Sequence, residues 1–235
     1  MIAELAILRM KQLDPRGICV YIAPLKSLAR ERLNEWKKRF GGGELRWKVL
    51  ELSGDTSHDV GVLERADILV CTPEKWDLVS RGWLQPSGTK ASNGKAFIKR
   101  VKLLAIDEIH LLGESRGAVL EAIVSRTRFI SRYLRNEQGN EDGSATPGST
   151  ESTRIIGLST ALANPWDLAS WMGIDVDTAG PERLRGLYNF PSTVRAVPLD
   201  IHVQGYSGRH YVSDLAWNCA SFIPWNLSFL HSVRV

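Results

Sequence analysis

The chain has 235 residues, of which 43% are apolar and 24% charged, a composition typical of a folded globular protein and unlike that of a disordered chain. The formal net charge of +4 is compatible with a nucleic-acid partner but too small to require one. Three widely separated cysteines (Cys19, Cys71 and Cys219) argue against a disulfide scaffold or a cysteine-rich zinc site, and no apolar run is long enough for a membrane span, so we expect an intracellular protein without a membrane partner.

Short apolar runs rich in β-branched residues alternate with longer helical patterns along the chain. The pattern predicts strands at 18–22, 48–52, 68–71, 103–106, 154–158 and 199–203, and helices at 5–12, 27–40, 116–134 and 167–172. Runs that are apolar throughout are typical of strands buried on both faces. The alternation therefore predicts an α/β fold with a mostly parallel sheet and helices on both faces, in which ligands bind at the carboxyl ends of the strands.

The first three predicted strands each lead into a turn that contains Pro, Ser or Thr, with basic residues nearby after the first and third. Several such turns at one sheet edge could contact a phosphodiester backbone, since helix N-termini and basic side chains bind phosphates. Ordinary capped helices with solvated cations are the alternative interpretation. The candidate nucleic-acid contacts are Pro24, Lys26, Arg30, Gly54, Thr72 and Pro73.

The sequence Asp107-Glu108-Ile109-His110 directly follows the predicted strand 103–106. An aspartate at the carboxyl end of a strand can hold a nucleotide-bound Mg²⁺, and a neighbouring glutamate can orient and deprotonate an attacking water. The histidine could sense the γ-phosphate or relay its loss. A solvated loop is the alternative for so short a motif, but its place after a buried strand favours the catalytic interpretation.

Ser159 and Thr160 close the predicted strand 154–158. If this strand lies beside the preceding one, their hydroxyls could reach the carboxylate or histidine of the DEIH motif. The alternative is that Thr160 or Asn164 only caps the following helix. The spacing does not separate these two interpretations.

Three segments lack a regular pattern. Residues 85–97 and 136–152 are rich in Gly, Ser, Asn and Pro, and we expect both to be flexible surface insertions. Residues 212–235 have the period of neither a strand nor a helix and form an atypical tail.

In order and spacing, the motifs resemble those of the first RecA-like domain of superfamily-2 DExH-box helicases, in particular the large tandem-cassette RNA helicases. APLKSLARER resembles motif Ia, LSGD the Gly-Asp element after it, and TPEKWD motif Ib. AIDEIHLLGESRG resembles motif II and GLSTALAN motif III. The resemblance covers about residues 2–211 and implies a RecA-like sheet of the P-loop NTPase type.

The resemblance also implies roles for these residues. Asp107 would bind Mg²⁺, Glu108 would activate water and His110 would couple ATP to RNA, with Ser159 and Thr160 as the motif III coupling pair. The implied cofactors are ATP and Mg²⁺, and the implied partner is nucleic acid, RNA more than DNA. The resemblance further suggests a nuclear or cytoplasmic subunit of a larger complex, such as an activating signal cointegrator or ribosome-quality-control assembly.

Two departures from the family shape the expected domain organisation. The family has a Walker A loop, GxxxxGK[ST], upstream of the helix that residues 1–7 resemble, and a second RecA-like domain downstream. We therefore expect residues 1–196 to be a first RecA-like domain that is incomplete at its N-terminus and lacks Walker A, and 197–211 to be a connector strand toward the second domain. The expected function is that of an ATP-dependent RNA or DNA helicase fragment, inactive alone, whose intact parent couples ATP hydrolysis to strand separation. The alternative is a catalytically inactive fragment that binds nucleic acid or protein.

Overall fold

The computed structural model describes residues 1–52, 60–84, 94–114, 117–142, 152–160, 162, 164–174, 186–190, 194 and 197. The chain divides into two compact units, Met1–Tyr188 and Asn189–Val235, and nearly all of the described residues belong to the first. Apart from residue 197, the predicted connector and tail lie outside the described residues, as does the predicted strand 199–203. No helix within these ranges is long and apolar enough to cross a membrane.

Strands and helices alternate through the first unit. The strands are β1 (Ile18–Ile22), β2 (Val49–Glu51), β3 (Ile68–Cys71), β4 (Val101–Ile106) and β5 (Arg154–Gly157). The helices are α1 (Ile2–Leu13), α2 (Lys26–Phe40), α3 (Val60–Leu63), α4 (Pro73–Arg81), α5 (Gly94–Arg100), α6 (Gly117–Asp142) and α7 (Pro165–Met172). Two short 3₁₀ turns lie at Gly82–Leu84 and Ile109–Gly113.

The five strands form one parallel sheet in the order β2-β3-β1-β4-β5, with β1 at its centre. Because every pair is parallel, the carboxyl ends of all five strands lie along one edge. In the register, Ile22 is opposite both Cys71 and Ile106, and Ile106 is opposite Gly157. The predicted α/β fold with a parallel sheet is confirmed.

Apolar layers cover both faces of the sheet, which is why the central strands β1 and β3 are apolar throughout. All residues of β1 are buried. Cys19 and Tyr21 pack in one layer with Trp36 of α2, whereas Val20 and Ile22 pack in the other layer, with side chains of α4, α5 and α6. Each large apolar side chain buried in this way contributes about 1.5–3 kcal/mol.

A buried ion pair joins α4 to α6. The carboxylate of Asp77, whose side chain is 8% exposed, accepts a hydrogen bond from Arg126 Nη1 at 2.8 Å, and Ser80 Oγ accepts from the same nitrogen at 2.8 Å. Arg81 contacts the other carboxylate oxygen of Asp77 from the surface. Burial alone would raise the pKa of Asp77, but the hydrogen bonds and charges of these two arginines outweigh it and lower that pKa.

The sequence pattern predicted β1 and β3 over the residues that form them, but it missed α4 and α5, and with them the short α3. The flexible insertion predicted at 85–97 is wrong for its last residues, because α5 begins at Gly94. The insertion predicted at 136–152 is also wrong for its first part, because α6 continues through Asp142. Extending an existing helix needs no new nucleation. The polar residues at the end of α6 can therefore remain helical because the earlier turns of this helix are already packed against the core.

Candidate functional site

The candidate site begins where β4 ends. Asp107 is the first residue after the strand, and its N–H donates to the carbonyl of Ile22, so β1 and β4 stay paired to the sheet edge (2.9 Å). One carboxylate oxygen, Oδ1, accepts from the N–H of Glu108 at 3.1 Å. The other, Oδ2, accepts from the hydroxyl of Tyr21 on the neighbouring strand. Two donors therefore hold the carboxylate of Asp107 at the edge of the sheet.

Glu108 has a left-handed backbone conformation, with φ 52° and ψ 46°. Such a conformation is costly for a residue other than Gly and is kept only where surrounding contacts impose it. Here the next residue, Ile109, donates its N–H to the carbonyl of Leu158 at 2.9 Å, which fixes the turn onto the end of β5. The side chain of Glu108 is 39% exposed and thus accessible to water.

His110 connects the turn after β4 with the residues after β5. Its Nδ1 lies 3.3 Å from Glu108 Oε2 and 3.3 Å from Thr160 Oγ1. Since β4 and β5 are neighbours in the sheet, the two motifs that follow them meet, which the sequence led us to expect only on the condition that these strands are adjacent. Both contacts are to the same nitrogen, Nδ1, which can donate to the Glu108 carboxylate when it carries the ring proton and accept from the Thr160 hydroxyl when it does not.

The structure separates the roles that the sequence left open for the residues after β5. Asn164 caps α7, because its side-chain oxygen accepts from the N–H groups of Trp166 and Asp167 at 3.2 and 3.4 Å. Thr160 thus faces His110 and is not the cap. Ser159 donates instead to the carbonyl of Thr160 at 2.8 Å, so its hydroxyl is used within the turn.

Tyr21 is a site residue that the sequence analysis missed. Burial, then the hydrogen bond to Asp107 and its charge, raise the pKa of Tyr21, so the hydroxyl stays protonated and donates. Burial would lower the pKa of Arg32 on α2, but Tyr21, Glu35 and Asp107 together raise it, so the guanidinium remains a cation beside them. The available signal was a tyrosine in a strand whose other residues are Ile, Cys and Val.

The candidate nucleic-acid contacts fall into two groups. Lys26 and Arg30 are exposed on the first two turns of α2, at the sheet edge. Pro24, Thr72 and Pro73 follow the adjacent strands β1 and β3 but are buried, with Thr72 at 8% exposure. The exposed pair is therefore better placed to meet a phosphate. Gly54, the remaining candidate, lies outside the described residues.

The residues at the end of β4 fit a nucleotide-bound Mg²⁺. Each carboxylate oxygen of Asp107 accepts one hydrogen bond and retains acceptor capacity, and carboxylate oxygen is a ligand that Mg²⁺ prefers. Within the part of the chain that the structure describes, no group of three or more His, Cys, Asp or Glu side chains could hold a metal ion. A protein site with one carboxylate, completed by phosphate and water, is typical of Mg²⁺.

Comparison with known proteins shows that the sequence is similar to helicases. The sequence profile described as "DEAD/DEAH box helicase" matches residues 1–165. "Activating signal cointegrator 1 complex subunit 3" is 45% identical in Danio rerio and 46% identical in Bos taurus, in both over 91% of this chain. "DExH-box ATP-dependent RNA helicase DExH14" of Arabidopsis thaliana is 43% identical over 89% of the chain. The chain spans 12% of the first of these relatives and 8% of the other two.

One solved structure supports the fold assignment. The crystal structure of the DUF1998 helicase MrfA is similar over 73% of this chain and 24% of that one, with a TM-score of 0.50 and 17% sequence identity. At this identity the likeness concerns the fold alone. Together with the parallel order of the five strands, it shows that the sheet is RecA-like.

Proposed function

The chain belongs to the DEAD/DEAH box helicase family, and we propose that it forms the part of an ATP-dependent RNA or DNA helicase in which ATP hydrolysis is linked to the bound nucleic acid. The observation that carries this proposal is the contact between His110 and both Glu108 and Thr160 at the carboxyl edge of the sheet. Glu108 and His110 belong to the DEIH motif, whereas Thr160 belongs to the motif after β5. Their contact supports a site in which a conformational change in one motif alters the hydrogen bonding of the other.

The proposed roles depend on the position of each group. Asp107 would hold Mg²⁺ through its carboxylate, and the metal and ATP together would supply the reacting phosphate and its charge neutralisation. Glu108 is water-accessible and would orient a water molecule and accept its proton at a carboxylate oxygen. His110 lies between this base and Thr160. A shift of the imidazole would therefore change the hydrogen bonding at both.

The proposed partner is a nucleic acid contacted through its phosphates. Lys26 and Arg30 add positive charge to the free N–H groups at the start of α2, and that combination favours phosphate binding. Such contacts position a strand without reading its sequence. RNA is favoured over DNA because relatives include a protein named as an RNA helicase, and a larger complex is favoured because others are named as a complex subunit.

The test is the variant Glu108→Gln, made in a chimera in which this chain replaces the matching segment of the Danio rerio relative. The substitution keeps the shape of the side chain but removes the base, so ATP turnover should fall about 10²–10⁴-fold while ATP binding is retained. Glu114→Gln is the matched control, because Glu114 is exposed at the end of the same turn and should leave turnover unchanged.

Two results would contradict the proposal. Turnover within a few-fold of the unmodified chimera would remove Glu108 from the role of base. An unmodified chimera that binds RNA but hydrolyses no ATP would instead favour a catalytically inactive binding segment.

A further inference from the structure

The side chain of Tyr21 is fixed between two layers of the fold. Tyr21 is opposite Ala105 in the register of β1 and β4, and Asp107 lies two residues beyond Ala105, so both side chains point to the same face of the sheet. Tyr21 is 2% exposed, and its ring packs edge-on against Trp36 of α2 with the centroids 4.8 Å apart. The phenol therefore has little freedom, and its hydroxyl is directed at Asp107 Oδ2.

Arg32 favours donation of the Tyr21 hydroxyl proton to Asp107. The guanidinium interacts with the Tyr21 hydroxyl and with the charge of Asp107. It is itself held by Glu35, 2.7 Å from Arg32 Nη1, and lies 5.7 Å from the centre of the Trp36 ring. A guanidinium has only donors, so its interaction with the Tyr21 hydroxyl leaves the phenol proton to be donated to the Asp107 carboxylate.

We propose that Tyr21 is a positioning residue for the metal site, which holds the Asp107 carboxylate in the orientation that binds Mg²⁺-nucleotide and links that carboxylate to α2. The inference rests on the proposed function, since it assumes that Asp107 binds the metal. A carboxylate that is already oriented loses less freedom when it binds a metal, and groups that orient a ligand in this way typically change metal affinity about 10–100-fold. The helix so linked is the one whose first two turns carry Lys26 and Arg30.

The test compares metal-dependent nucleotide binding in five forms of the full 235-residue chain. These are the unmodified chain, Tyr21→Phe, Asp107→Asn, the double variant and Tyr188→Phe. The probe is Mn²⁺ with ATP at millimolar concentration, with free Mn²⁺ followed by its electron paramagnetic resonance signal and ATP binding without metal measured in parallel. Tyr21→Phe keeps the ring that packs on Trp36, and Tyr188→Phe removes an exposed hydroxyl as the matched control.

Tyr21→Phe should weaken Mn²⁺-dependent binding about tenfold and leave metal-free ATP binding unchanged. The double variant should bind no more weakly than Asp107→Asn, because the tyrosine acts only through that carboxylate. Tyr188→Phe should match the unmodified chain. Urea unfolding of the same proteins shows that each variant is folded.

Three outcomes would overturn the inference. If Tyr21→Phe has the affinity of the unmodified chain while Asp107→Asn loses binding, Tyr21 does not position the carboxylate and the proposed function is unaffected. If the losses multiply in the double variant, the Tyr21 hydroxyl acts independently of the Asp107 carboxylate and does not position it. If Asp107→Asn itself changes nothing, or the unmodified chain shows no metal-dependent binding, Asp107 does not bind the metal in this chain and the inference fails, whereas the proposed function is decided separately by Glu108→Gln in the chimera.

Discussion

Replacing Asp77 by Asn should destabilise the domain mainly through the arginine that it leaves buried. The Asp77 side chain is 8% exposed and that of Arg126 is 20% exposed, so the substitution leaves a largely buried cation without its carboxylate. Removing one partner of a fully buried pair costs about 3–5 kcal/mol, and Asn can still accept one hydrogen bond. We therefore expect a loss of about 2–3 kcal/mol in the free energy of unfolding.

The second arginine provides the matched comparison. The Arg81 side chain is 66% exposed, and exposed ion pairs contribute about 0.2–1 kcal/mol. Arg81→Gln should therefore cost less than about 1 kcal/mol in the same measurement, urea unfolding at neutral pH. Equal losses for the two variants would show that burial does not set the strength of this pair.

Acid offers an independent test of the same ion pair. The arginines lower the pKa of Asp77 from its ordinary value of 3.8, so the folded state favours the charged carboxylate. The resulting stabilisation is complete above pH 3.8 and is lost as the pH falls through the lower pKa of the folded state. The stability difference between the unmodified chain and Asp77→Asn should thus shrink only below pH 3.8. A difference that shrinks between about pH 7 and pH 5 would contradict this explanation.

Three further predictions concern the sheet edge. Lys26→Ala should weaken single-stranded RNA binding about equally for all sequences and lower the slope of log K against log salt by roughly 0.7, whereas Lys38→Ala at the other end of α2 should change neither. Gly157→Ala should change the free energy of unfolding by less than about 1 kcal/mol in urea, because the added Cβ would lie 3.1 Å from the flexible ends of Ile109 and Met172, which need to shift only slightly, and Gly113→Ala, whose Cβ lies in open space, is the control. Thr160→Val in the chimera should reduce RNA-stimulated ATP turnover and retain ATP affinity, and unchanged stimulation would separate this hydroxyl from coupling.

The sequence predicts the centre of the sheet well because β1 and β3 are buried on both faces. Runs such as Ile18–Ile22 and Ile68–Cys71 contain no charged residue, so the sequence shows clearly where each run begins and ends. Their predicted bounds match β1 and β3. Helix α4 was given no predicted bounds, although Thr72 and Pro73 were interpreted as a turn that leads from a strand into a helix, where proline is well tolerated. Helix α5 was missed because its first residues belong to a segment rich in Gly, Ser and Asn.

The candidate site was predictable in part for a topological reason. Neighbouring parallel strands end at one edge, so the meeting of His110 with Thr160 could be expected from the strand pattern and the motifs. The bond from Tyr21 to Asp107 could not, because it depends on the reach of a long side chain along the sheet. The left-handed backbone of Glu108 was not predictable either, since no local glycine indicates it.

The left-handed backbone of Glu108 means that the residue best for stability at position 108 differs from the residue that the proposed activity requires. Glycine has no steric penalty at φ 52° and ψ 46°, and so it would relieve the strain at position 108. The same replacement would remove the proposed base. Efforts to stabilise the domain by favouring relaxed backbone geometry would therefore remove the carboxylate that the proposed reaction needs. The fold retains Glu108 although its backbone conformation is unfavourable for a residue other than glycine. The proposed chemistry explains this, because a more stable glycine variant would have no general base.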